Sequence, residues 1–401
     1  MLQINECQKA LRMKIKGVAI FMEMLILSMP SLALPPIIKW AGGKERELAY
    51  IKDNAPKEYD RYFEPFVGGG AVFSAVSARE YLINDKSDEL MALYMAIKEG
   101  DKTTFQFMSE INSSWKAMLA FANRRMEELI KIYHDYQQLD RGDQEVSKDI
   151  DKFIRANIGE INAALGRMLY DQDQLYKELS RNVTQKFMRM RKIERQRKVM
   201  PASDLEDNIR TAFMGSLYMY YRYLYNKRGD NESQLNTALF VFIRNFAYSG
   251  MFRYNAKGEF NVPYGGIGYN SKTLDKKIRY YQSLELADHF RNATIENLDF
   301  LDFFRKHPPT RKDFIFLDPP YDSEFSTYAN NAFGKEDQQR LAAYLTEECE
   351  GKWLMIIKNT PFIYSLYDKP GLKIRMFDKK YQVSFMNRND KDVEHLIITN
   401  Y

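Results

Sequence analysis

The chain has 401 residues, 45% hydrophobic and 28% charged, with a formal net charge of +5. That is enough for two or three globular domains with a substantial core, and the mild basic bias permits a nucleic-acid partner without demonstrating one. Only two cysteines, Cys7 and Cys349, and four scattered histidines, His134, His289, His307 and His395, rule out a disulfide framework, a zinc knuckle and any metal-ligand spacing, so a reducing, cytoplasmic setting is expected.

Residues 18–34, VAIFMEMLILSMPSLAL, follow Lys14 and Lys16 and mimic a short signal peptide. Glu23 interrupts the run, which is short for a membrane span, and Met22, Met24 and Met29 offer internal starts. The expectation is a loose or mis-started leader over 1–34, with no membrane partner.

The rest of the chain divides into three zones. From about Pro35 to Gly100, "DRYFEPFVGGGAVFSAVSA" reads as a strand, a glycine turn and a small-residue helix start. "EYLINDKSDELMALYMAIKEG" repeats the plan, with a strand ending at Asn84-Asp85. From about Asp101 to Phe290 the apolar spacing turns helical. Met126, Leu129, Ile130 and Tyr133 share a face, and a stripe runs from Ile150 through Phe153, Ile154, Ile158 and Ile161 to Leu165. Pro201 stops the pattern, and Ser203 with Glu206 offers a capping box for the next helix. From Ala293 to Tyr401, "ATIENLDFLDFF", "DFIFLDPPY", "KWLMIIKNT", "IRMFDKKYQV" and "EHLIITNY" read as strands or strand edges, with a helix from near Lys335 to Gly351. Two halves of an α/β sheet around a large helical insertion describe this economically.

In such sheets ligands bind beyond the carboxyl ends of strands, and three corners stand there. Gly68, Gly69 and Gly70 allow a tight turn and close backbone approach, or mark a tight turn alone. Asp85, one unit later, suits the two hydroxyls of a ribose, or is a solvated helix cap. Asp318-Pro319-Pro320-Tyr321 leaves a strand through two residues of fixed φ without N–H donors. That bend holds a carboxylate and carbonyls as acceptors beside a flat ring, which suits an amino group on a planar base; by itself it is equally a strand-ending turn.

Taken in order, "KWAGGK" (39–44), "FEPFVGGGAVF", "IND", "FAYSGMFRYNAKGEFNVPYGG" (246–266), "DPPY" and "EHLIITNY" resemble the Dam-type DNA adenine-N6 methyltransferases. The resemblance covers about 35–100 and 235–401. It implies a Rossmann-like, seven-stranded methyltransferase domain from 35–100 and 291–401. A mainly helical insert and DNA target-recognition region would occupy 101–290, with a hairpin near 246–266. It further implies S-adenosylmethionine as donor and, as acceptor, the 6-amino group of an adenine flipped out of double-stranded DNA. Restriction–modification, beside a separately encoded endonuclease, or orphan methylation would be the setting. At matched positions Trp40, Lys44, Phe66, Gly68, Gly70, Asp85 and Asp318 would contact the cofactor, and Asp318, Pro319, Pro320 and Tyr321 would form the transfer pocket. Lys39, Tyr248, Ser249, Met251, Arg253 and Pro263 would meet DNA, Arg253 as a guanine reader. Members that read GATC carry Asn and Leu where this chain has Ser249 and Met251, so that target does not carry over. The alternatives are an RNA adenine methyltransferase and a non-catalytic DNA-binding protein that has kept the fold. The basic run Arg181–Val199 reads either as a phosphate contact or as an exposed helix face. The tyrosine-rich "LYMYYRYLY" (217–225) reads as helix packing.

Overall fold

The apolar runs of the first and third zones form one seven-stranded sheet in the computed structural model. The structure describes residues 34–40, 42–138, 141–196, 199–227, 229, 232–321, 333–380 and 392–401. The expected leader lies outside these apart from Leu34, as do Ala41 and Arg197. The sheet and its helices belong to one compact unit, Pro36–Tyr401.

Strands β1 (Arg61–Glu64), β2 (Glu80–Asn84), β3 (Ala293–Glu296), β4 (Phe314–Leu317), β5 (Lys352–Lys358), β6 (Lys373–Lys380) and β7 (Asp392–Thr399) lie in the order β3-β2-β1-β4-β5-β7-β6. All pairs are parallel except those of β7, which runs antiparallel to β5 and β6. Every residue of β4 is buried, as is the WLMII centre of β5, which is why these strands read as apolar runs without alternation. Strand order reverses between β1 and β4, where Tyr62 pairs with Phe314. A crevice forms at such a switch, and the glycine corner, Asp85 and the DPPY corner all leave the sheet on that edge.

Before the insertion come α1 (Leu48–Asn54) and α2 (Asp88–Glu99). The insertion itself holds α3 (Lys102–Arg124), α4 (Met126–Gln138), α5 (Asp143–Ala156), α6 (Ile158–Leu165), α7 (Gln172–Gln196), α8 (Ala202–Asn226), α9 (Ser233–Phe246), α10 (Asp275–Tyr281) and α11 (Leu284–Arg291). After β3 come α12 (Phe300–Lys306), α13 (Lys335–Ala343) and α14 (Pro361–Tyr367). Phe300, Phe303 and Phe304 of α12, Leu341 of α13 and Ile363 and Tyr367 of α14 join Phe63, Ile315, Leu317, Trp353 and Met355 in one buried cluster. Each such side chain is worth roughly 1.5–3 kcal/mol of burial, and together they hold the strand ends in register.

The structure departs from the sequence reading in four places. The glycine corner leads into only a three-residue 3-10 turn, Phe73–Ala75, because Val76 is already extended on the way to β2; no helix amino end stands there. The stripe Ile150–Leu165 breaks at Asn157, where ψ is 10° and the side-chain amide donates to the Phe153 carbonyl at 2.9 Å. Helix α8 starts at Ala202 with Pro201 as N-cap and no side-chain capping bond, so Ser203 lies inside its first turn. In "ATIENLDFLDFF" the strand stops at Glu296, and Asp299 caps α12 by accepting from Leu301 N at 3.0 Å.

The tyrosine-rich stretch packs as expected: Tyr218, Tyr220, Tyr221 and Tyr225 are buried, with hydroxyls bonded to Val262 O, Met168 O, Ser114 Oγ and Tyr254 OH. The basic run divides. Arg189 and Arg195 are exposed, whereas Arg191 is buried, donates to Arg141 O at 2.6 Å and Asp143 Oδ1 at 2.7 Å, and stacks 3.6 Å from the Tyr136 ring centre.

Candidate functional site

β1 ends at Glu64, and the chain turns through Pro65, Phe66 and Val67 into the glycines. Buried Asn84 pins this corner, donating to Pro65 O (3.0 Å) and Leu298 O (3.1 Å) and accepting from Leu298 N (2.8 Å). Gly68 (φ 48°) and Gly70 (φ 72°) are left-handed. A Cβ on Gly69 would overlap the Ile38 carbonyl oxygen, and one on Gly70 the Tyr94 hydroxyl, which itself donates to Gly68 O at 2.9 Å. The glycines are therefore required by the close approach of residues 37–40 and of α2. Trp40 lies on Gly68 and packs on Phe240 and Phe252, while the Phe66 ring rests on Phe300 and Phe333.

Three carboxylates surround the corner. Asp85 is half-buried; its Oδ2 accepts from Gly68 N (2.9 Å) and its Oδ1 from Ser87 N (3.0 Å). Burial pushes its pKa up, partly opposed by those backbone bonds. A carboxylate offers about four acceptor sites, so capacity remains beyond the backbone N–H groups of Gly68, Ser87 and Lys86. Glu64, buried on β1, accepts from Tyr62 OH at 2.7 Å. Burial above all, with repulsion from Asp318 and Asp85 added, holds its carboxyl well above the usual range. Asp318 follows β4, and buried Lys44 reaches it at 2.5 Å while also donating to Gly42 O at 2.8 Å. The same ammonium stands 5.7 Å from the centre of the Tyr321 ring. The bend after Asp318 is held from outside: buried Gln338 on α13 donates to Pro320 O at 2.8 Å, and buried His395 on β7 meets Tyr321 OH at 3.2 Å. The crevice thus joins Lys44, Gly68, Asp85, Asp318 and Tyr321.

The second group of expected site residues lies on a hairpin after α9. Two bridges, Ala247–Tyr264 and Tyr254–Phe260, define it, with Tyr248 N donating to Pro263 O at 2.9 Å. Asn255 builds the tip by accepting from Lys257 N and Glu259 N. Tyr248, Ser249, Arg253 and Pro263 are exposed and Met251 half-buried. Ser249, at φ 52°, is the one non-glycine residue with positive φ among the described residues. Arg253 donates its Nε to Asn261 Oδ1 at 3.0 Å, and its two terminal nitrogens have no partner among the described residues. Exposed Lys39 runs beside Gly250. Buried Arg244 ties this group to the crevice: it donates to Lys39 O and to Gly250 O (3.2 Å) and stacks on Trp40 and Phe252.

Residues 40–385 match the sequence profile of the D12 class N6 adenine-specific DNA methyltransferases. The chain belongs to this family. It is 26% identical to a type II methyltransferase, M.CviBI, of Paramecium bursaria Chlorella virus NC1A, over 92% of this chain and 100% of that one. It is also 26% identical to type II methyltransferase M.MjaIII of Methanocaldococcus jannaschii, over 91% and 99%. To the DNA adenine methylase of Escherichia coli K12 it is 23% identical, over 82% and 80%. The chain is thus an adenine-specific DNA methyltransferase, a class of enzyme that takes its methyl group from S-adenosylmethionine. Among the described residues no helix is long and apolar enough to cross a membrane, and no group of His, Cys, Asp or Glu is placed to hold a metal.

Sequence reasoning assigned no role to several groups that shape this methyltransferase: Asn84, Tyr94, Arg244, Gln338 and His395. Of these Arg244 carried a signal, a lone cation inside the apolar run "ALFVFIRNF". Asn84 stood in the motif "IND" and His395 in "EHLIITNY", and Tyr94 lay on an apolar helix face, but their bonding roles were hidden because their partners lie far away along the chain; Gln338 carried no signal.

Proposed function

We propose that the crevice between β1 and β4 binds S-adenosylmethionine and a flipped adenine side by side, and that the hairpin selects the site in double-stranded DNA. In this reading Asp85 takes the two ribose hydroxyls with its remaining acceptor capacity. Gly68, Gly70, Phe66, Trp40 and Lys44 line the rest of the cofactor's place. The donor set fits such a group: the glycine corner is fixed in shape from behind, and the carboxylate at its rim is already oriented by two backbone N–H bonds. When bound, S-adenosylmethionine supplies an electrophilic methyl group on a sulfonium.

The observation that carries the reading is the placement of Asp318 and Tyr321 across the crevice from Asp85, beyond the glycine corner of the strand between them. An exocyclic amine conjugated to a purine is a poor nucleophile. Asp318 and a carbonyl of the double-proline bend accept its two hydrogens and aim its lone pair, while the Tyr321 ring stacks on the base. Lys44 holds the carboxylate in place until the amine arrives. Pro319 and Pro320 keep the bend rigid, and Gln338 fixes it to α13. Extrusion of the adenine costs a few kcal/mol, offset by stacking and by the hairpin's contacts. Lys39, Tyr248, Ser249, Met251, Arg253 and Pro263 face the DNA, the Arg253 fork towards a guanine. Residues 35–100 and 291–401 carry the chemistry and 101–290 the insert and recognition region. The type II names of two relatives favour a restriction–modification setting with a separately encoded endonuclease.

The test is modification-sensitive long-read sequencing of unmethylated DNA incubated with the protein and S-adenosylmethionine, beside Asp318→Ala. Methylated adenines in one recurring motif, absent with the variant, are expected. Methylation that survives in Asp318→Ala overturns the assigned pocket, and modification of transcripts in place of DNA overturns the substrate.

A further inference from the structure

Glu89 belongs to neither group of site residues, yet it is bonded towards both. It sits in the first turn of α2, two residues past Ser87, where a carboxylate is favoured by the helix amino end. Ser87 Oγ donates to Glu89 Oε2 at 3.3 Å, and Ser87 N donates to Asp85 Oδ1 at 3.0 Å. On its other oxygen, Glu89 Oε1 accepts from Tyr254 OH at 3.0 Å and from Tyr225 OH at 3.3 Å, and the two tyrosine hydroxyls lie 2.8 Å apart. Tyr254 is the hairpin residue next to Arg253 and is bridged to Phe260. Asn226, following Tyr225 at the end of α8, grips Phe260 through both its amide groups, at 2.9 and 3.1 Å. A continuous hydrogen-bonded path therefore runs from the Asp85 carboxylate through Ser87 and Glu89 to the hairpin.

We propose that Glu89 is a positioning residue that couples occupation of the crevice at Asp85 to the setting of the hairpin that meets DNA, so that cofactor and DNA strengthen each other's binding. This rests on the proposed roles of Asp85 as a cofactor ligand and of the hairpin as a DNA reader. A donor arriving at Asp85 settles on the same carboxylate that orients Ser87, and Ser87 shares Glu89 with the two tyrosines. Linkage makes the coupling reciprocal.

The experiment measures the affinity of the full chain for a fluorescent duplex carrying the methylated motif's sequence, without and with saturating S-adenosylhomocysteine. The wild-type protein is expected to bind DNA at least about 5-fold more tightly with S-adenosylhomocysteine present. Glu89→Ala and, separately, Tyr254→Phe, which keeps its ring packing on Phe252 and Phe260, are expected to bring that ratio close to one. The double variant should change it no further, as a shared path requires. A purely structural tie would weaken DNA binding equally in both states and leave the ratio unmoved; that result, or a wild-type ratio of one, overturns the coupling while methyl transfer stands. Failure of the wild-type protein to bind S-adenosylhomocysteine would overturn the cofactor reading itself, and the coupling with it.

Discussion

The hairpin at 247–264 and helix α7 each set basic residues among apolar and aromatic ones, and they differ as structures. In α7 the apolar stripe Leu175, Leu179, Val183, Phe187 and Met190 is buried, and Arg191 falls on the same face. It is taken up by Asp143, a carbonyl and a tyrosine ring. In the hairpin the side chains alternate, with Phe252, Phe260 and Val262 buried while Arg253 and Pro263 stand outside. A charge count therefore says little about which cations are available to a partner. The period of the element on which they sit decides it: one residue in three or four turns inward on a helix, every second one on a hairpin.

The difference can be tested most strongly at Arg191. Arg191→Ala removes a buried cation from three partners and is expected to lower stability by about 2–3 kcal/mol, below the roughly 3–5 kcal/mol of a broken buried pair because Asp143 is half exposed. The denaturant midpoint should fall, with the slope of DNA affinity against salt unchanged; a changed slope would put Arg191 on the DNA. Arg253→Ala is expected to do the reverse, leaving the midpoint in place and relaxing discrimination at one base pair by about 1–3 kcal/mol. Methylation rates on a panel of single-base target variants would read this, and a uniform loss across the panel would make Arg253 a phosphate contact. On the exposed face of α7, Arg189→Gln with Arg195→Gln should make the logarithmic salt slope shallower by about one for each arginine that meets a phosphate. An unmoved slope confines the DNA footprint to the hairpin side. The smallest effect is expected at Ser249. Asparagine is more tolerant of its left-handed φ, so Ser249→Asn should raise stability by roughly 0.5 kcal/mol, and Ser249→Val should lower it. A rise with valine would mean that the turn does not hold this conformation in solution.

What could be read in advance obeys the same physical division. β4 and the DPPY corner announce themselves because burial on both faces and two fixed φ angles leave few residue types that serve. The glycine corner was visible too, as the tight turn expected of it. Its glycines make room for Ile38, Trp40 and the Tyr94 hydroxyl, and no helix comes after it to lend its amino end. The groups that hold the corners were hidden. Asn84 reaches Leu298 and Gln338 reaches Pro320, and an amide in a sequence does not advertise a partner that only folding brings near. The misplaced capping box at Ser203 is the converse case: a local signal was present, but Pro201 began the helix earlier. Glu89 combines both, since a carboxylate two residues after a cap reads as ordinary helix chemistry until the two tyrosines arrive.

The pairing of β2 with β3 has a consequence for how the protein comes into being. These neighbours meet in parallel register, Tyr81 against Ala293, across the roughly 200 residues of the insertion. β1 likewise waits for β4 at Phe314. At a synthesis rate of about 5–20 residues per second, β2 leaves the ribosome roughly 10–40 seconds before β3, and β1 roughly 13–50 seconds before β4. For that interval β1 and β2 have only each other to pair with, while the helices of the insertion, built from contacts closer in sequence, can already assemble. The order of the chain thus lets the helical insertion assemble before the crevice between β1 and β4, and no such crevice can exist on a nascent chain that has not yet passed Asp318.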